Sequence, residues 1–204
     1  MKKQIMVLIA LIIASIGLLA YSWLPDTMAT HWGIDGKPDG YMPKLQALLF
    51  APFMLLFLLF LLDFAGRDQP QIIRKNMDII SWMMSAFLAY IHCLMIAYSL
   101  PEIFSRFDFT QAFLPAMGIL FIGIGYLSRG VPINPVMGVR LPWIMKSEHA
   151  WRKVNTLFGN MMIGLGVLSF ASIAIPGAGL MLFIPALLLL VLITFIYSFV
   201  VDKK

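Results

Sequence analysis

Apolar residues along this chain gather into six long blocks separated by mostly short polar connections. The blocks cover residues 5–24, 45–62, 79–100, 112–128, 156–175 and 180–201, and none of the 15 basic or ten acidic residues falls inside one. A helix rises ~1.5 Å per residue, so a block of about 20 residues matches a ~30 Å hydrocarbon core. A buried helix of a water-soluble protein rarely stays free of charge for so long, and here it happens six times. The pattern predicts an all-α, polytopic membrane protein of six transmembrane helices, a single membrane domain over residues 1–204.

Composition agrees: 61% of the residues are hydrophobic and 12% charged, too few polar groups to cover a soluble domain of 204 residues. A net charge of +5 would suit nucleic acid only if it formed a basic patch on a soluble face. These cations flank apolar blocks instead, so lipid headgroups are the expected partner and direct nucleic-acid binding is not expected. The positive-inside rule then sets orientation. With the N-terminus inside, the inner segments carry Lys2, Lys3, Arg67, Arg74, Lys75, Arg129, Arg140, Lys146, Arg152, Lys153, Lys203 and Lys204. The outer ones carry Lys37, Lys44 and Arg106. Both termini are therefore expected in the cytoplasm. Lys2 and Lys3 before an apolar block also suit a signal peptide. The block is longer than a usual signal core, however, and reads as a retained anchor. Cys93, the single cysteine, lies in an apolar run and reads as a packing residue.

Small and helix-perturbing residues mark particular spans. Pro52, Pro115 and Pro185 fall inside spans, where neighbours must satisfy the freed carbonyls. Gly118, Gly123 and Gly125 punctuate the fourth span, and Gly159, Gly164 and Gly166 the fifth. Small residues let backbones approach in lipid, so these two helices are expected to pack closely; a hinge is the alternative use. No internal repeat of the transporter kind is visible.

Two connections carry chemistry. The outer loop 25–44 holds three Gly and three Pro before Lys44 and reads as a chain of tight turns. His31, Trp32, Asp35, Asp39 and Tyr41 are its candidate ligand-binding residues. Residues 35–40 partly imitate a calcium loop, but the third-position acid is missing and Gln46 stands where a bidentate Glu belongs. One His with carboxylates lacks zinc spacing, so no metal and no cofactor are expected. The inner loop 129–155 splits in two. Pro132, Pro135 and Pro142 keep its first part extended. Residues 147–155 read as a short interfacial cytoplasmic helix, capped by Ser147, with Glu148 at the positive dipole end. Asn134, Arg140, Pro142, Trp143, Trp151, Arg152 and Asn155 are its candidate partner- or lipid-binding residues.

Two other function classes make definite demands. A transporter or channel needs polar groups at mid-membrane depth, for which His92 near the centre of the third span is the candidate, with Asn160 near the inner end of the fifth as a helper. A metal-dependent membrane enzyme would draw on His31, Asp35 and Asp39, or on Glu148 and His149. No nucleophile stands in a recognisable arrangement and no phosphate-cradling glycine loop exists, so the chain does not read as an enzyme.

The inner run Asn134…Gly138-Val-Arg140-Leu-Pro142-Trp143…Trp151-Arg-Lys-Val-Asn155…Gly159 resembles the signature of the SdpI immunity-protein family. The outer run Leu24-Pro25…His31-Trp32…Gly36…Asp39-Gly40…Lys44…Pro52 resembles the small domain of unknown function that commonly precedes it. The resemblance divides the chain into an N-terminal part, 1–78, and an SdpI-like part, 79–204. It implies a six-span bacterial plasma-membrane protein that protects the cell from a secreted toxic peptide. It also implies, as in the best-known member, a relay of toxin presence by holding a cytoplasmic transcriptional repressor at the membrane. On that reading the partners are membrane lipids, the toxin and the repressor.

Overall fold

The computed structural model describes residues 2–100, 108–175 and 178–202. Six helices account for most of them: α1 (Lys2–Ala20), α2 (Lys44–Gly66), α3 (Gln71–Ser99), α4 (Phe109–Ser128), α5 (Glu148–Ser169) and α6 (Gly179–Asp202). Five, α2 to α6, are long and apolar enough to cross a membrane; α1 contributes a shorter apolar stretch, Val7–Trp23. Each overlaps one of the six predicted blocks. The cations Arg106, Lys203 and Lys204, used to orient the chain, lie outside the described residues.

Consecutive helices pack side by side, and α1, α2 and α3 also touch one another in a three-helix group. Leu55 of α2 is fully buried there against Ala10 and Ile13 of α1. Outward-facing positions are large and apolar, as in Phe53, Phe60 and Phe64 of α2 and Leu188 of α6. In water such a surface would aggregate; in lipid it is the solvent-facing side. Pro52, Pro115 and Pro185 are accommodated inside unbroken helices.

The closest helix contact is α4 against α5, as the glycines predict. A Cβ on Gly118 would strike Ser169 Oγ and the Gly166 carbonyl, and one on Gly166 would meet the Gly118 carbonyl at 2.6 Å. Gly125 and Gly159 repeat the reciprocal arrangement, seven residues further along each antiparallel helix. Two of the six glycines do something else. Gly123 faces Met83 of α3, and Gly164 has open space where its Cβ would be.

Two predicted details are corrected. The outer loop is a β-hairpin, with β1 (Thr27–Trp32) antiparallel to β2 (Pro38–Pro43), rather than turns throughout. Thr27 and Thr30 favour extended backbone, and the two prolines sit at the ends of β2, where a missing N–H is tolerated. The short interfacial helix does not exist as a separate element. Ser147 Oγ does accept from the Ala150 N–H at 3.3 Å, but the helix that starts there runs unbroken to Ser169. Trp151, Val154 and Asn155 are buried, so this segment faces protein rather than lying flat on lipid.

Candidate functional site

The hairpin and the inner loop occupy opposite ends of the bundle. At the outer end, a turn over residues 33–37 joins the strands. The Gly33 N–H donates to the Lys37 carbonyl at 2.8 Å, and Asp35 closes an Asx turn by accepting from the Lys37 N–H at 3.2 Å. Gly36 needs its φ of +76°, and a side chain there would press on Thr110 and Asp108. Asp108 caps α4 by accepting from the Thr110 N–H at 2.8 Å. The hairpin tip thus rests on the start of the fourth membrane helix. At its base, Lys44 pairs with Asp26 at 3.1 Å and lies over the Tyr21 ring.

Of the predicted outer-loop residues, His31 and Asp39 are brought together, Nδ1 to Oδ1 at 2.5 Å, on the exposed side. Such a pair in water contributes at most about 1 kcal/mol. Asp35 and Tyr41 are also exposed. Among the described residues, no group of three or more His, Cys, Asp or Glu is placed to hold a metal ion. Trp32 does something different from its neighbours. Its ring stacks on Phe109 at 3.5 Å between centroids and 5° between planes, with Tyr98 edge-on at 5.5 Å. Phe109 stacks in turn on Phe113, which meets Phe87 at 6.3 Å. An aromatic row therefore runs from the hairpin down between α3 and α4. Phe109, Tyr98 and the fully buried Met28 were missed by sequence reasoning, because the chain holds 16 Phe, six Tyr and 15 Met and no local pattern sets these three apart. His92 is also fully buried, and a Cβ on Gly17 of α1 would lie 3.2 Å from its Nε2 and 3.0 Å from the Leu48 side chain of α2.

At the inner end, residues 131–140 form a folded cap clamped to α5 and α3. Asn134 uses its whole amide. Oδ1 accepts from the Val136 and Met137 N–H groups at 2.8 and 2.7 Å, and Nδ2 donates to the Pro132 and Met137 carbonyls. Asn155 accepts from the Val139 N–H at 2.7 Å and donates to the Trp151 carbonyl at 3.0 Å. The Trp151 indole donates to the Val131 carbonyl at 2.7 Å. Gly138, at φ +90°, passes so near Asn155 Oδ1 that a Cβ would strike it. Trp143 ties the cap to α6: its indole donates to Ser198 Oγ at 3.1 Å and stacks on Phe199. Five predicted residues of this motif thus divide by environment. Asn134, Trp151 and Asn155 are buried and spend their polar atoms on backbone, whereas Pro142 and Arg140 face solvent, Arg140 reaching the Pro135 carbonyl at 2.6 Å. Arg152 is exposed as well.

Replacing Asn155 by leucine keeps the volume and leaves the Val139 N–H without its acceptor. A buried donor left unmet costs ~1–3 kcal/mol. Thermal unfolding in detergent should show that loss, and hydrogen exchange should be fastest around residues 131–140.

The sequence carrying this cap, residues 130–198, matches the SdpI/YfhL protein family. Residues 8–56, which hold most of α1, the hairpin and the first half of α2, match a domain of unknown function, DUF1648. The chain is also similar along nearly all its length to Immunity protein SdpI of Bacillus subtilis (strain 168). The two are 21% identical over 194 residues, covering 95% of this chain and 92% of that protein. No solved structure matches. The long apolar helices together with this kinship make the chain a multi-pass bacterial membrane protein. The SdpI match contains the cap, α5 and most of α6, and the DUF1648 match contains the hairpin. Phe109, on which Trp32 stacks, belongs to neither.

Proposed function

We propose that this protein protects a bacterium from a secreted, membrane-active peptide. The observation that carries the proposal is the end-to-end similarity to Immunity protein SdpI, which includes both the outer hairpin and the inner cap. A peptide that attacks the membrane arrives from outside, and the hairpin is the folded structure that meets it on the charge-derived orientation. Tyr41 and Ile34 offer exposed apolar area there, 60% and 52% accessible. Asp35 and Asp39 offer negative charge to a cationic peptide, with His31 beside them. Trp32, turned inward, holds the hairpin in place for that contact.

A relay of the peptide's presence to a cytoplasmic repressor is the finer part of the proposal. It requires two arrangements of the bundle that the peptide biases. α3 supports such a route. Its outer end carries Tyr98 against Trp32, and its inner end packs Ile73 and Met77 against Val131 and Trp151 of the cap. The cap's exposed Arg140 and Pro142 would be the partner-facing surface.

The test is expression in sensitive cells challenged with candidate peptide toxins. The protein should confer resistance. Changing Asp39→Ala and Tyr41→Ala together should lower the tolerated peptide concentration about tenfold or more, as for central interface residues, at unchanged membrane levels. Resistance that survives both changes would exclude the hairpin as the contact, and absence of resistance to every peptide class would sink the immunity reading.

A further inference from the structure

A cleft of about 490 Å³ opens between the start of α5 and the end of α6, lined by His149, Arg152, Lys153, Thr156, Leu157, Asn160 and Tyr197. The α5 residues recur at spacings of three and four, so they share one face of that helix. The lining holds two permanent cations and several hydrogen-bond donors, and no Asp or Glu. It also grades along the helix, from Arg152 and Lys153 near the aqueous end, through Asn160 about two turns further in, to Gly164, Val167 and Leu168, all exposed. Asn160 is the telling residue. It is exposed on the outside of the bundle, within a helix that crosses the membrane, and makes no hydrogen bond among the described residues. An amide turned towards lipid without a partner is costly, so something in the lipid layer with acceptor oxygens should satisfy it.

We propose that this cleft holds one anionic glycerophospholipid of the inner leaflet. Its phosphate sits between Arg152 and Lys153, its glycerol and ester oxygens meet Asn160 and the Tyr197 hydroxyl, and an acyl chain follows the apolar strip beyond. The order of chemistry along α5 (cation, then amide and hydroxyl, then hydrocarbon) is the order of chemistry down such a lipid. Free phosphate shares the first contact and lacks the other two. The site rests on the charge-derived orientation and not on the immunity reading.

The experiment is native mass spectrometry of the delipidated full-length protein, titrated with phosphatidylglycerol or phosphatidylcholine. One phosphatidylglycerol should be retained with at least about tenfold preference. R152Q/K153Q should abolish that preference, while R74Q/K75Q, which removes two inner-side cations from α3, should leave it intact. Should R152Q/K153Q fail to accumulate, Asn160→Leu decides instead, with a loss of about threefold for one hydrogen bond. Equal retention of both lipids, equal loss in R74Q/K75Q, no loss in Asn160→Leu, or displacement by millimolar inorganic phosphate would each overturn the proposal.

Discussion

Gly118→Ala is expected to destabilise the bundle by about 3 kcal/mol, while Gly164→Ala, one methyl added to the next helix, stays within about 0.5 kcal/mol of wild type. The two changes are chemically identical and differ in what the methyl meets. At Gly118 it meets Ser169 Oγ, the Gly166 carbonyl and, at 3.3 Å, the Phe170 ring. The carbonyl is main chain within a helix and cannot turn aside, so the helices must separate. In lipid there is no hydrophobic drive to offset that separation, because tails are as apolar as the side chains they replace. What holds α4 to α5 is contact itself, dispersion and Cα–H···O approaches that only bare backbones allow. Parting at Gly118 also loosens Gly166 and weakens the Gly125–Gly159 pair one heptad away, so the cost exceeds that of one crowded methyl. At Gly164 nothing lies within 4 Å. Thermal unfolding in detergent and steady-state membrane levels would measure both. Equal effects would mean that α4 and α5 are not in backbone contact. Ser169→Ala should restore part of the loss in Gly118→Ala, since it removes one of the atoms struck and leaves the carbonyl.

These glycines also mark how far the sequence could be read. That α4 and α5 approach closely follows from six glycines on two consecutive spans. Which four make the contact does not, because composition leaves open the rotation of each helix about its axis. Gly123 and Gly164 look identical to the others until Met83 is found beside one and open space beside the other. The spans themselves were legible for a simple reason: an uncharged stretch of that length has one stable solvent.

The polar motifs were legible as places and not as roles. Asn134, Trp151 and Asn155 stand out in an apolar chain and so read as surfaces waiting for a partner. Their donors and acceptors are instead turned on the loop's own backbone, which would otherwise lie buried and unpaired beside Val131 and Met137. Only the fold could reveal that division, since an asparagine that clamps a loop and one that binds a ligand carry the same amide. The hairpin was hidden in a similar way. Glycine and proline dominate residues 25–44, yet β1 itself contains neither. The contact that fixes the hairpin comes from Phe109, 77 positions beyond Trp32.

That contact makes the last expected result the most informative about function. Trp32→Ala should release the hairpin from the bundle while leaving the helices folded. The substitution removes a stacked and an edge-on aromatic partner together with much of the area between β1 and α4. Truncating a buried Trp costs about 3–5 kcal/mol, and each aromatic pair is worth ~0.5–1.5 kcal/mol of its own. Trp32 is half-buried, so about 2–3 kcal/mol is the reasonable share. Because the hairpin is one local cooperative unit, the whole of that loss should be felt in its own opening. Amide exchange at Met28 and Ala29 should accelerate about 30- to 100-fold, with exchange at Leu120 and Leu165 in α4 and α5 unchanged. Trp32→Phe, which retains a ring for Phe109 to stack on, should accelerate it several-fold less. On the immunity reading, protection should fall with Trp32→Ala although Tyr41, Asp35 and Asp39 are all still present, because they are no longer held in one place. If exchange accelerates as expected and protection is untouched, the peptide is met elsewhere on the protein. If exchange does not change, Trp32 is not what docks the hairpin, and the aromatic row from Trp32 through Phe109 and Phe113 to Phe87 cannot carry a signal inward.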